Sequence, residues 1–490
     1  MSSLGDLYRH SLALLTDLYQ LTMAEAYWKS GLHEQEAVFH LFFRQNPFQG
    51  GFAVACGLAR AVELLGSFRY QDDDLAYLAG LPGSDGRPLF EAAFLDHLRA
   101  LELRCDVDAI PEGTVVFPQE PLVRVRGPIL HCQLLETALL NIVNFETLIA
   151  TKAARVCLAA RGEPVLEFGL RRAQGIDGGL SASRAAYVGG CAATSNVLAG
   201  RLFGIPVRGT HAHSWVLSFD DERQAFQAYA EALPHNAVFL VDTYDTLEGV
   251  RHAVEVGRWL RQHGHDLLGI RLDSGDLAYL SIQARKILDE AGFPDATIVA
   301  SNDLDEHVIT SLKEQGAPIG QWGVGTRLVT GHDQPALGGV YKLGAVREAG
   351  GPWKHKVKLS EQAIKVNNPG VQQVRRYVDA DGFVADLIYD EERGVPAGSA
   401  MVDPADFTRR RRLPAAPDST DLLVPVLRGG GVVWTPAPLA AVRQRTIDQL
   451  AALHAGVKRF LNPHQYPVGL EEGLFDLKTR LILQHRGLAA

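Results

Sequence analysis

Residues from about 160 to 345 predict a parallel α/β fold, and three observations carry that expectation. Six short apolar runs recur there: PVLEFG (164–169), IPVRGT (205–210), AVFLVDT (237–243), LLGIRLD (267–273), ATIVAS (296–301) and IGQWGVG (319–325). Amphipathic segments such as TLEGVRHAVEVGRWLRQHG and DLAYLSIQARKILDEAGF separate them, several closing on the glycine that commonly ends a helix. Polar or glycine-rich residues come directly after each run. Repeated βα units of this kind imply a parallel sheet covered by helices, either a closed barrel or an open, doubly wound sheet.

The regions on either side differ in texture. Residues 1–150 mix helices with short strands and read as an N-terminal α/β domain. AVFHLFFR (37–44) is apolar and aromatic enough for a strand, and CDVDAIPEGTVVFPQEPLVRVRG (105–127) breaks into β runs at its prolines. Leu134, Leu135, Ala138, Leu139, Ile142, Val143 and Phe145 then form one apolar stripe at helical spacing. Residues 151–345 hold the βα units, with RAAYVGGCAATSNVLAGRLFG (184–204) expected as a helical segment. In the remaining segment, 346–490, VRRYVDADGFVADLIY and LLVPVLRGGGVVW read as strands, and Leu439 to Phe460 as a helix.

Composition excludes several classes of function. With 490 residues, 47% of them hydrophobic, the chain can bury a large core. A formal charge of −9 argues against nucleic-acid binding. Arg409 to Arg412, the one dense basic run, lies between Pro404 and Pro414 and reads as a solvated loop or a local salt-bridge partner. Five scattered cysteines (Cys56, Cys105, Cys132, Cys157, Cys191) form no CxxC pair, so they read as reduced core thiols. No secretory leader is visible, and no uncharged apolar run reaches the ~18 residues of a membrane span. A soluble, cytoplasmic protein is expected.

The positions of the polar residues point to a site. Arg171 and Arg172; Thr210, His211 and His213; Asp242 and Asp245; Arg271, Asp273 and Asp276; Asn302 and Asp303; and Gly323, Gly325, Thr326 and Arg327 each follow a strand candidate. Parallel α/β folds gather function at the carboxyl ends of their strands, where the loops converge. Helix capping would account for Asp245 or Asp303. It does not account for arginines at strand ends beside a Gly-rich turn.

Three motifs sharpen this. In GVGTR (323–327) the glycines permit close backbone approach, so successive N–H groups and the Thr326 hydroxyl can cradle a phosphate. In RLDSGDL (271–277) Arg271 offers a fork for a carboxylate or phosphate, while Asp273 can accept from ribose hydroxyls or help hold Mg²⁺. In GTHAHS (209–214) His211 and His213 stand two apart, facing the same way if the chain is extended. Metal ligation by that pair would want further His or Lys ligands at later strand ends, and the chain supplies Asp, Arg, Asn and Gly there. A neutral imidazole can instead take a phosphoryl group covalently.

Taken in order and spacing, LLTDLYQLTMAEAYW (14–28), EFGLRRAQGIDGGLSASRAAYVGG (167–190), GTHAHSWV, RLDSGDL, ASNDLDE, GVGTRLVT and GGVYKL (338–343) make the chain resemble nicotinate phosphoribosyltransferases. The resemblance covers the chain to about residue 400. It implies a type II phosphoribosyltransferase fold: an irregular α/β barrel packed against a second α/β domain with a mixed sheet, to which the C-terminal segment partly returns. It further implies a homodimer with active sites at the interface, nicotinate and phosphoribosyl pyrophosphate as substrates, ATP as co-substrate, and Mg²⁺ with its ligands unassigned. By motif, Tyr19 of the neighbouring subunit and Phe168 would flank the pyridine ring, Arg271 would pair with the carboxylate, and Arg171 would lie nearby. Thr210 would line the pocket, Gly323, Gly325 and Thr326 would hold the ribose phosphate, and Asp273 would serve the sugar. His213 would be the histidine that ATP phosphorylates. Rival readings are the nicotinamide-specific relative and a non-catalytic pyridine-binding protein that kept the fold.

Overall fold

The computed structural model describes residues 12–362, 365–413 and 418–488. The chain divides into two compact units. One comprises Met1–Thr147, Ala336–Pro438 and Asp448–Ala490; the other comprises Leu148–Pro335 with Leu439–Ile447.

In the second unit, six strands pair in the order Ala193–Thr194, Val165–Glu167, Gln321–Val324, Thr297–Ala300, Gly269–Leu272, Val238–Leu240, every pair parallel. Their residues are almost wholly buried, as expected of strands covered on both faces by helices. The run at 205–210 does not form a strand. It supplies one bridge, Val207 to Thr194, with Arg208 N–H donating to Thr194 O at 3.0 Å. Four residues on, His211 Nε2 accepts from Leu240 N–H at 3.2 Å, at the far edge of the sheet. Residues 206–211 thereby complete the ring as an irregular barrel, pinned at one end by backbone and at the other by a side chain.

Segment 184–204 is not one helix. The helix Gly175–Val188 stops at Gly189 and Gly190, the strand Ala193–Thr194 comes next, and the helix Val197–Phe203 begins beyond the Asn196 cap. Close packing compels the break: a Cβ on Gly189 would lie 2.3 Å from Ala150 O, and Gly190 has φ +117°.

The first unit contains two large sheets. A seven-stranded antiparallel sheet runs Lys354–His355, Val340–Arg347, Glu36–Phe42, Val123–Pro128, Asp106–Ala109, Val424–Arg428, Gly431–Val432. A six-stranded mixed sheet runs Arg410–Arg412, Ala400–Val402, Val468–Glu471, Gly382–Asp390, Gln372–Asp379, Ser419–Asp421. The arginine run is therefore an edge strand and not a loop; Arg410 pairs with Glu472 and Arg409 with Asp406. Charge along an exposed edge discourages pairing with other chains. Pro414 lies outside the described residues. The C-terminal helix expected to reach Phe460 ends at Ala452. All five cysteines are free, and no helix among the described residues is long and apolar enough to cross a membrane.

Candidate active site

Because the six strands are parallel, their carboxyl ends share one rim, and the residues just past them meet there. Glu167 ends its strand fully buried and organises the loop after it. Its carboxylate accepts from Gly169 N–H, from Ser183 Oγ at 2.8 Å and from Thr194 Oγ1 at 2.6 Å. One buried charge thus fixes the start of the 168–172 loop against the next helix and the next strand, satisfied as a buried carboxylate must be. Phe168 is next in the chain, its N–H bonded to Val324 O at 2.8 Å and its ring over Gly323. Any Cβ at Gly323 would stand 2.8 Å from that ring, so the glycine seats the aromatic side chain. Gly325 approaches Phe168 O in the same way, and Thr326 opens a short helix, exposed at the rim.

Two arginines occupy the opening. Arg271 projects from the end of its strand and donates to Thr210 Oγ1 at 2.5 Å. Its Nε is buried without a partner, and among the described residues no carboxylate lies within ion-pair distance. Burial lowers its pKa, Asp273 and Asp242 oppose that, and Arg171 adds a like charge. Arg171 is exposed on the turn Leu170–Arg172, where its guanidinium donates to Phe168 O at 3.3 Å. Arg327, by contrast, is claimed by Asp305 at 2.5 Å.

The two histidines of GTHAHS part company. His213 begins the helix His213–Leu217, which turns it away from its neighbour's direction. His211 is buried against Phe226, Tyr229 and Phe239, and burial lowers its pKa to about 4. Accepting at Nε2 from Leu240 N–H, it is neutral and serves the barrel wall. His213 is part exposed, with Nε2 3.2 Å from Oδ1 of the all-but-buried Asp242 side chain. Asp242 Oδ2 in turn accepts from Asp273 N–H at 3.1 Å and Ser274 Oγ at 2.5 Å. Asp273 Oδ1 receives the Ser301 hydroxyl, and its other oxygen has no hydrogen bond among the described residues.

The loop past Ser301 is strained: Asn302 and Asp303 have φ of +91° and +32° in succession. Such conformations concentrate at functional loops, and Asn and Asp tolerate them best. Asp303 is therefore not the expected cap; Asp305 caps the next helix, accepting from His307 and Val308 N–H. Asp245 does cap its helix, as does Asp276.

One rim thus carries Phe168, Arg171, Thr210, His213, Arg271, Asp273, Gly323, Gly325 and Thr326. Tyr19 belongs to the other unit, 48% exposed in the first turn of the helix Leu18–Lys29. Burial and the charge of Glu136 raise its phenol pKa. Leu12, Leu15, Leu18 and Met23 are exposed near it in sequence. Sequence reasoning did not single out Glu167, Ser301 or the partnership of Asp242 with His213. A carboxylate directly after AVFLV was the one available signal for the last. Elsewhere, Cys56, Glu112 and Glu146 in the first unit bring three possible ligand atoms within 4.8 Å of one another; Glu112 already accepts from Gly57 N–H at 2.7 Å.

Comparison with known proteins agrees with this geometry. The sequence model of the nicotinate phosphoribosyltransferase N-terminal domain matches residues 14–144, and that of its C-terminal domain matches residues 371–478. The chain is 44% identical over 477 residues to the nicotinate phosphoribosyltransferase of Bacillus subtilis (strain 168), covering 96% of this chain and 95% of the relative. To the Homo sapiens enzyme it is 38% identical over 526 residues, covering 96% of both chains. The crystal structure of human nicotinic acid phosphoribosyltransferase superposes with a TM-score of 0.82 at 35% identity, covering 95% of this chain and 99% of that one. A nicotinate-nucleotide pyrophosphorylase from Pyrococcus furiosus shares the fold, with a TM-score of 0.70 at 21% identity over 93% and 98% of the two chains.

Proposed function

The chain belongs to the nicotinate phosphoribosyltransferase family of NAD biosynthesis, and from that premise we propose that the rim joins nicotinate to phosphoribosyl pyrophosphate and couples the step to ATP through His213. The observation that carries the reading is Arg271. A largely buried guanidinium with a spare N–H and no carboxylate partner among the described residues is a standing demand for an anion, and its planar fork matches a carboxylate. Thr210 fixes its angle, and Arg171 strengthens the positive field.

The chemistry follows from charge. The pyridine nitrogen of nicotinate attacks C1 of the sugar with its own lone pair, so no base is needed. Pyrophosphate leaves as positive charge builds on the ribose. Phe168 aligns the ring on one face, and Tyr19 of a second copy closes the other, which is why a homodimer is proposed. The exposed apolar residues around Tyr19 support that face as the place where a copy docks. Gly323, Gly325 and Thr326 serve the ribose phosphate, and Asp273 stabilises the electron-poor sugar. Mg²⁺ fits this donor set: it binds through one or two carboxylates plus substrate phosphates, and the uncommitted oxygen of Asp273 is the candidate to hold it. When bound, it supplies charge neutralisation for the departing pyrophosphate.

His213 is the proposed phosphohistidine. With Asp242 accepting at Oδ1, the ring proton belongs on Nε2, leaving the Nδ1 lone pair free. Nδ1 attacks the γ-phosphorus of ATP, the bond to ADP breaks, and water later takes the phosphoryl group. The reduced thiols support a cytoplasmic setting.

Incubating the protein with nicotinate, phosphoribosyl pyrophosphate and ATP should yield nicotinate mononucleotide by mass spectrometry, with nicotinamide turned over far more slowly. Equal use of the amide would move the assignment to the nicotinamide branch, and no product at all would favour a binding protein. Gly323→Ala should displace the Phe168 ring and raise the nicotinate KM by roughly 10-fold, since small misplacements of an aligning group are costly. An unchanged KM would dissociate that ring from the substrate.

A further inference from the structure

We infer that Glu222 and His252 form a second acid–base pair whose charge, acting through Asp242, sets how readily the His213 imidazole accepts positive charge. The inference deepens the proposed role of His213 and rests on that reading.

Glu222 opens the helix Glu222–Ala232, where a first-turn glutamate ordinarily faces water. Here its side chain is 4% exposed and turned inward. One carboxylate oxygen meets His252 Nδ1 at 2.9 Å, from the helix Thr246–Gln262; the other is buried with no hydrogen-bond partner. A carboxylate held half-satisfied in the interior is expensive, and glutamine or an apolar residue would fill the space at lower cost. Such groups concentrate where their field is used.

That field reaches the rim. The charged groups facing Glu222 are His252, Asp221 just before its own helix, and Asp242 at the end of the strand Val238–Leu240. Burial raises the Glu222 pKa, His252 opposes it, and Asp221 and Asp242 raise it further. Asp242 in turn faces His213 and Arg271, with the Asp273 N–H and Ser274 hydroxyl on its second oxygen. The two helices are also tied directly: Trp215 Nε1, two residues past His213, donates to Ala225 O at 3.0 Å, three residues past Glu222. When the pair loses its proton, a negative charge remains on Glu222, and a protonated or phosphorylated His213 is better tolerated. When the pair keeps it, that support is absent.

The test reads the His213 imidazole directly, by NMR titration of histidine-labelled full-length protein, with the resonance assigned from its loss in His213→Ala. In Glu222→Gln the His213 midpoint should fall by about half a pH unit, the size of one charge acting across several ångström of mixed dielectric. Glu222→Asp keeps the charge and should leave the midpoint near its wild-type position. In an Asp242→Asn background the Glu222→Gln displacement should vanish, which a merely structural role would not produce. In the wild-type protein, independent of any variant, His213 should show a second inflection where His252 titrates. Absence of that inflection, or equal displacement in Glu222→Gln and Glu222→Asp, overturns the inference. Failure of the wild-type protein to carry phosphate on His213 would instead overturn the ATP-coupling reading, and the titration would still decide this one.

Discussion

Replacement of His213 by alanine is expected to abolish ATP hydrolysis and ATP stimulation while slow phosphoribosyl transfer persists. The loss should be large, on the order of 10³-fold or more in the hydrolysis rate, because the nucleophile itself is removed. The residual transfer follows from the chemistry, since nicotinate attacks with its own lone pair and Arg271, Phe168 and the Gly323–Thr326 turn remain. Asp242→Asn should give an intermediate result. The amide can still hold the ring, through Oδ1 as acceptor, but its missing charge no longer supports a cationic imidazole. Two assays on the same preparation decide the matter: release of inorganic phosphate from ATP, and acid-labile phosphate on the protein. Undiminished ATP dependence in His213→Ala would remove the phosphohistidine assignment.

Arg271→Ala is expected to produce the largest change in substrate affinity. A charge-assisted, two-pronged contact with a carboxylate contributes about 2–3 kcal/mol, so the nicotinate KM should rise roughly 30- to 150-fold. Arg271→Lys keeps the charge but loses the fork, and should recover only part of this. The KM for phosphoribosyl pyrophosphate should change much less, which separates a lost contact from a collapsed site. Preference for the acid over the amide should shrink in parallel, because the arginine is what makes the carboxylate worth binding. An unchanged nicotinate KM would transfer the carboxylate contact to Arg171.

The parallel unit was legible because its signal is strong. Buried strands must be apolar, and helices between them must be amphipathic, so Val165–Glu167, Val238–Leu240, Gly269–Leu272, Thr297–Ala300 and Gln321–Val324 all lie inside runs visible in the sequence. Ala193–Thr194 was not legible: two residues between a Gly-Gly break and an Asn cap carry no periodicity. The run at 205–210 misled in the opposite sense, being apolar enough for a strand while its backbone pairs at one point only. For the site, sequence indicates which side chains stand at strand ends but not where they turn. His211 and His213 look equivalent in GTHAHS, yet a helix starting at His213 sends one into the wall and leaves the other at the rim. Glu167 escaped notice because its partners, Ser183 and Thr194, are distant in sequence and unremarkable in type. Asp303 and Asp305 are equally good caps on paper, and the choice of Asp305 is made by the turn that φ at Asn302 and Asp303 imposes.

The way residues 206–211 complete the barrel has a mechanical consequence. Five of the wall's junctions are laced by strand pairing, whereas this stretch is fastened by a single bridge at Val207 and by the His211 ring. A wall so made yields first at its two rivets. Thr210 and His213 lie on that yielding stretch or just beyond it, so the end of the slot that meets the carboxylate can adjust to its guest. The opposite end, where Gly323 to Thr326 extend a fully laced strand, keeps its shape and gives the sugar phosphate a fixed anchorage.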